Sequence, residues 1–249
     1  MDERNGPEWR AINQPATMHG VAAVFHAPDR AVLWDLDGTL IDSEAYHWRS
    51  WLETMRAEGR DLECDVFQAS FGQRNDRILS AWLGPDATPA RIARIADAKE
   101  TAYRRLMRAG GLDWLPGVPA WIRRLEADGW KQAIASSAPR LNIEAVLDVL
   151  GRAHPFAAVV SAEDVPAGKP APDVFLAAAT RLGVAPARCV VVEDAPAGIE
   201  AARRAGMRSI GIRGAAEAGP DVSAESVAHL PPEAFESLVA AGAHSSGRA

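Results

Sequence analysis

Two short apolar runs, each ending on paired acids, constrain this chain most. Ala31-Val32-Leu33-Trp34 leads directly into Asp35-Leu36-Asp37-Gly38-Thr39, and Cys189-Val190-Val191-Val192 leads into Glu193-Asp194-Ala195-Pro196-Ala197-Gly198. A strand that is apolar at consecutive positions is buried on both faces, which is the environment of a parallel sheet covered by helices. In open sheets of that kind ligands gather beyond the carboxyl ends of the strands. If both runs belong to one sheet, Asp35, Asp37, Glu193 and Asp194 meet there as a cluster of hard oxygen ligands. Such a cluster repels itself without a cation. Magnesium fits, because it prefers octahedral oxygen coordination and shares its shell between a few carboxylates, water and a substrate phosphate. The usual ligand spacing of a calcium loop is absent.

Two further segments supply what a phosphate needs. The run Gln132-Ala133-Ile134-Ala135 ends in Ser136-Ser137, which offers hydroxyls and backbone N–H groups to phosphoryl oxygens. Lys169 lies in Ala167-Gly168-Lys169-Pro170-Ala171-Pro172-Asp173, a loop stiffened by two prolines ahead of an apolar helical pattern through Phe175, Leu176 and Leu182. Beside an acidic cluster, a lysine offsets carboxylate repulsion and the charge of a transferring phosphoryl group.

The order of elements predicts an α/β protein with an insertion. From Ser43 to about Leu115 the apolar spacing is helical and no strand is evident: Ser43 can cap a helix carrying Tyr46, Trp51, Leu52 and Met55, and later segments carry Ile78, Leu79, Trp82, Ile92, Ile95 and Tyr103. Leu115-Pro116-Gly117 marks the return. Helices over 118–128, 140–150, 172–182 and 197–205 then alternate with strands near Ile134, Val159, Val191 and Ile210, which gives a doubly wound, mostly parallel sheet. The expected division is residues 30–42 and 115–249 as a discontinuous core, with 43–114 inserted as a helical domain. The opening 1–29, with Pro7, Trp9 and Pro15 among scattered charges, reads as a loosely ordered extension, and Ser245-Ser246-Gly247 as a frayed tail.

Composition excludes several classes. A net charge of −6 with scattered basic residues argues against a nucleic-acid binder. Cys64 and Cys189 form neither a disulfide framework nor a zinc pattern, and Cys189, opening an apolar strand, reads as a buried structural thiol. No apolar segment reaches membrane-spanning length, and the N-terminus lacks a secretory pattern, so a cytoplasmic monomer is expected. A nucleotide-binding oxidoreductase is disfavoured because Gly-x-Gly-x-x-Gly does not follow the first strand.

Taken together, Asp35-Leu36-Asp37-Gly38-Thr39, Ser136, Lys169 within Gly-Lys-Pro-Ala-Pro-Asp, and Glu193-Asp194 followed by Ala-Pro-Ala-Gly-Ile-Glu-Ala-Ala are four ordered pieces. In them the chain resembles the haloacid dehalogenase (HAD) superfamily of phosphotransferases, in its β-phosphoglucomutase-like subgroup, over roughly residues 31–214. The resemblance implies a HAD-like Rossmannoid core with the insertion as its α-helical cap. It also implies Asp35 as nucleophile, Asp37 as acid/base, Ser136 and Lys169 as phosphate-holding and charge-stabilising residues, and Glu193 with Asp194 as the Mg2+ site. Asp35 and the backbone carbonyl of Asp37 complete that site. An aspartyl phosphate then forms on Asp35, and Asp37 must start protonated, which calls for a pKa raised by neighbouring carboxylates and partial burial.

Thr39 and Ser137, beside these motifs, join the candidate substrate contacts. The resemblance assigns cap residues to the substrate as well: His47 and Trp51, four apart on one helix face, Arg74 in the polar loop Phe71-Gly72-Gln73-Arg74-Asn75-Asp76, and Lys99, four before Tyr103. These are expected to close the cap and hold the distal phosphate of a sugar. The chain departs from the mutase pattern at Ser137-Ala138-Pro139-Arg140, where the mutase has a Lys-Asn pair; Pro139 cannot donate, and Arg140 is the candidate replacement. The expected activity is therefore a Mg2+-dependent phosphatase acting on small phosphorylated metabolites, with a sugar phosphate mutase as the alternative. Receiver-like and non-catalytic phosphate-binding readings are disfavoured by the insertion and by the presence of both Asp35 and Asp37.

Overall fold

The computed structural model describes residues 30–151 and 154–243. The expected extension over 1–29 and the tail at 245–247 lie outside the described residues. Six strands, β1 (Ala31–Trp34), β2 (Lys131–Ala135), β3 (Phe156–Val160), β4 (Cys189–Glu193), β5 (Arg208–Ile212) and β6 (Val222–Ala224), form one sheet of order β3-β2-β1-β4-β5-β6. Every neighbouring pair is parallel. The chain therefore builds outward from β1 first to one side and then to the other, and β1 with β4 forms the switch point where an open sheet leaves a crevice. The register aligns the strand ends, because Trp34 pairs with both Ile134 and Val192.

Four helices, α1 (Glu44–Ala57), α2 (Cys64–Ser70), α3 (Asn75–Leu83) and α4 (Pro89–Gly110), lie between β1 and α5 (Val118–Ala127). The remaining helices are α6 (Arg140–Leu150), α7 (Asp173–Leu182), α8 (Pro196–Arg204) and α9 (Ala234–Ala243). Alternation along β1 sends Val32 and Trp34 into one apolar layer with residues of α5, α6 and α9, and Ala31 and Leu33 into another with α7 and α8. That is why β1 carries no polar position until its end. Gln132, an amide buried in this layer, is satisfied, accepting from the Trp34 indole at 3.0 Å and donating to the Ile122 carbonyl at 2.9 Å. Cys189 is buried at the start of β4, where desolvation pushes its thiol up to about 12, and Cys64 is exposed.

The inserted helices have an apolar cluster of their own, built on Trp51, Met55, Phe67, Ile78, Leu79, Leu83 and Ile95. The chain enters and leaves them along adjoining segments: Ile41 bridges to Trp114, and the Leu115 N–H donates to the Leu40 carbonyl at 2.9 Å. The helices expected from the apolar spacing coincide with α5 to α8 to within a residue or two. Strand β6 and helix α9 lie outside the pattern read from the sequence, β6 because its three residues are partly exposed at the sheet edge and show no apolar run. No helix of the described residues is long and apolar enough to cross a membrane.

Candidate active site

At the carboxyl ends of β1 and β4, backbone turns bring the carboxylates of Asp35, Glu193 and Asp194 close together. Gly38 sits at φ +83°, and a Cβ there would overlap the Asp194 carboxylate. Gly198, in the first turn of α8, lies equally close to the Glu193 carboxylate. Both positions therefore require glycine, for the left-handed turn in the first case and for the close approach in both. The Lys169 ammonium fills the space between the strands. It donates to Asp35 Oδ1, to Glu193 Oε1 at 2.6 Å and to the Ala135 carbonyl at 3.2 Å, so all three of its donors are engaged.

This cluster is electrostatically incomplete. Burial raises the Asp35 pKa well above the ordinary carboxylate range, with Lys169 opposing the shift and Glu193 and Asp194 adding to it. Burial and the Glu193 charge push Asp194 up to about 7. Burial alone would lower the Lys169 pKa, but the Asp35 and Glu193 charges outweigh it and hold the ammonium above its ordinary value. Asp35, Glu193 and Asp194 each bring an oxygen within 4.8 Å of the others. Three carboxylates against one lysine, all hard donors, fit a divalent cation of the magnesium type. The Asp37 carboxylate is outside this group, which leaves its backbone carbonyl as the atom it could offer.

Asp37 instead faces the inserted helices. Its Oδ1 accepts the Ser43 hydroxyl at 2.5 Å and lies 3.2 Å from His47 Nε2. His47 Nδ1 is 2.8 Å from Lys99 Nζ, and Lys99 Nζ donates to Glu100 Oε1 at 2.8 Å. The His47 ring also stacks on Tyr103 with centroids 4.2 Å apart. The expectation of a raised Asp37 pKa is reversed here. Burial raises it, but the His47 charge and the hydrogen bonds from His47 and Ser43 outweigh that effect and lower it. Ser43, expected to cap α1, makes no side-chain cap bond because its hydroxyl is taken by Asp37.

The cleft over these groups is lined by Asp35, Asp37, Ser136 and Ser137 from the core, and by His47, Trp51 and Lys99 from the inserted helices. Ser136 Oγ accepts the Ala138 N–H at 3.0 Å, which leaves its own hydroxyl proton available to a phosphoryl oxygen. Three of the candidate substrate contacts do not line the cleft. Thr39 is wholly buried, and its hydroxyl has no partner among the described residues. Arg74 donates at 3.4 Å to the carbonyls of both Ala162 and Val165, and its stem lies against Gly168. Arg140 pairs with Asp164, a carboxylate that Arg181 also binds at 2.8 Å. Both arginines thus hold the loop after β3.

Sequence reasoning missed Glu100. It is buried in α4, accepts from Asn75 Nδ2 at 2.6 Å, and takes a further bond from Asn142 on α6. No motif signals it, since Asn75 and Asn142 lie 25 and 42 residues away in the chain.

A parallel sheet with an Asp-x-Asp turn at its switch point, a buried lysine between two strand-end acids, and helices inserted after β1 defines an enzyme of phosphoryl-group chemistry. A family model described as haloacid dehalogenase-like hydrolase matches residues 30–206, and the chain belongs to that family. It is similar to the fructose-1-phosphate phosphatase YqaB of Escherichia coli, at 36% identity over 188 residues, covering 73% of this chain and 95% of the relative. Among solved structures it is similar to β-phosphoglucomutase from Clostridium difficile, with TM-score 0.77 and 25% identity, covering 86% of this chain and 98% of that one. It is also similar to a CbbY variant from Rhodobacter sphaeroides in complex with xylulose-(1,5)bisphosphate, with TM-score 0.74 and 28% identity, covering 81% and 96% of the two chains.

Proposed function

We propose that this protein is a Mg2+-dependent phosphatase of small phosphorylated metabolites, foremost sugar phosphates, working through an aspartyl phosphate on Asp35. The observation that carries the reading is the division between two acids one residue apart. Asp35 turns into the Lys169, Glu193 and Asp194 cluster, while Asp37 turns to Ser43 and His47. This division supports the reading of Asp35 as nucleophile and Asp37 as proton carrier.

Magnesium, held by Asp35, Glu193, Asp194 and the Asp37 carbonyl, would supply the positive charge that lets these carboxylates ionise together and that opposes the charge on phosphoryl oxygens. The chain's own residues account for the rest. Asp35 attacks phosphorus, the bond from phosphorus to the sugar oxygen breaks, and that oxygen takes the proton that Asp37 relays from His47 Nε2, which leaves Asp37 ionised until the next step returns a proton to it and, through it, to His47. Water then attacks the aspartyl phosphate, gives its proton to Asp37, and releases inorganic phosphate with Asp35 restored. Ser136 and backbone N–H groups beside it hold phosphoryl oxygens, and Lys169 keeps Asp35 oriented. We read 30–42 and 115–249 as the catalytic core and 43–114 as the cap that excludes bulk water.

The named activity of the YqaB relative supports a sugar phosphate as substrate. A mutase is the second reading, favoured by the likeness to β-phosphoglucomutase. Pro139, which lacks an N–H, and Arg140, engaged by Asp164, weigh toward hydrolysis, since recapturing a bisphosphate needs donors there. The test is a panel of phosphorylated sugars with Mg2+, reading free phosphate and isomerised product in parallel for the parent and for Asp35→Asn. Phosphate release that disappears in Asp35→Asn while the fold is kept is expected. Activity of that variant within severalfold of the parent would move the phosphoryl group to another residue.

A further inference from the structure

We propose that Glu100 makes the cleft a monophosphate site, accepting a sugar phosphate whose far end carries hydroxyls and rejecting one with a second phosphate there. The inference rests on the phosphatase reading of the same cleft and goes beyond it to the substrate class. A second phosphate group brings between one and two negative charges into the cleft, and burying it without a counter-charge is costly. The cations nearby already have partners of their own, and two of the three Lys99 donors are engaged. Lys99 Nζ is bound to Glu100 Oε1 at 2.8 Å and to His47 Nδ1 at 2.8 Å. It also lies 5.2 Å from the Trp51 ring centroid and 5.4 Å from that of Tyr103. Arg74 and Arg140 serve the loop after β3 and do not line the cleft.

Glu100 itself is one of the lining groups, and only 6% of it is exposed. Burial opposes its charge, but Lys99, His47 and the Asn75 amide overcome that and lower its pKa, so the wall of the cleft carries a carboxylate that offsets the Lys99 ammonium. Neutral hydroxyls meet a different reception. Ser70, Gln73 and Asn75 line the same cleft with uncharged donors and acceptors, and the Trp51 and Phe71 rings offer apolar faces to a sugar.

The experiment compares kcat/KM for fructose 1-phosphate and fructose 1,6-bisphosphate with Mg2+, for the parent, Glu100→Gln and Glu100→Asp. Taking the ratio of the two substrates within one variant cancels any general loss of folding or turnover. The parent should favour the monophosphate by about tenfold or more, and Glu100→Gln, which leaves the Lys99 charge uncompensated, should narrow the ratio by about tenfold. Glu100→Asp should keep the parent ratio. A parent that handles the bisphosphate as well as the monophosphate overturns the proposal, as does an unchanged ratio in Glu100→Gln. Loss of the ratio in both variants would assign it to shape and overturn the role of charge. If neither sugar releases phosphate, the phosphatase reading fails by itself. Calorimetric titration of Asp35→Asn with the same two sugars then reads the preference directly, tighter monophosphate binding supporting the proposal and equal or reversed binding overturning it.

Discussion

Two buried lysines, Lys169 in the core and Lys99 in the inserted helices, are paired in similar ways and differ in charge balance. Lys169 joins strand ends distant in sequence, Asp35 after β1 and Glu193 on β4, and a third carboxylate, Asp194, stands nearby. Lys99 joins its own neighbour Glu100 to His47 of α1, with one carboxylate for one ammonium. The core lysine is outnumbered, so its cluster still calls for positive charge. The inserted lysine is matched, and its contribution is to link Asp37, through His47, to Glu100 and so to Asn142 of α6. A deficit of charge marks the place where an ion and an anionic group belong. A balanced set marks positioning.

That contrast can be broken by substitution. Lys169→Met should have the largest effect, lowering kcat by about three orders of magnitude or more, because Asp35 loses both its orientation and its counter-charge. It should also cost about 3–5 kcal/mol of stability by leaving buried carboxylates unpaired, read by urea unfolding without metal. Turnover within tenfold of the parent would remove Lys169 from the chemistry. Chelation of divalent ions comes next. It should abolish turnover reversibly, with Mg2+ restoring it, whereas full activity in metal-free buffer would mean that Lys169 alone neutralises the cluster.

Lys99→Met should act more mildly, lowering kcat by about 10- to 100-fold through release of His47 from Asp37. The loss should be shared by a sugar phosphate and a small aryl phosphate. A loss confined to KM for the sugar would make Lys99 a substrate anchor, as the family resemblance suggests. Arg74→Ala should matter least, costing severalfold in kcat/KM, on the order of 1 kcal/mol, alike on both substrates, since the side chain steadies the loop carrying Ala162 and Val165. A loss selective for a substrate with a charged far end would show that this arginine reaches into the cleft.

Much of the molecule could be read from local pattern. Consecutive apolar residues required strands buried on both faces, and acids immediately after them had to lie at the carboxyl ends, where β1 and β4 do meet. Helical spacing between Ser43 and Leu115 required an insertion there. These features follow from periodicity and from the cost of burying charge, which act over a few residues. The direction of individual side chains does not. Ser43 leaves its capping role for Asp37, Asp37 turns from the acids beside it toward His47, and Arg140 is drawn to Asp164. Glu100 acquires Asn75 and Asn142 as partners only because α4 packs beside α3 and α6. The sequence by itself determined which residues stand at the strand ends and that their charges need a partner. Which partner each one takes was decided by the tertiary structure, because a buried polar group pairs with whatever packing brings within about 3 Å, at any distance along the chain.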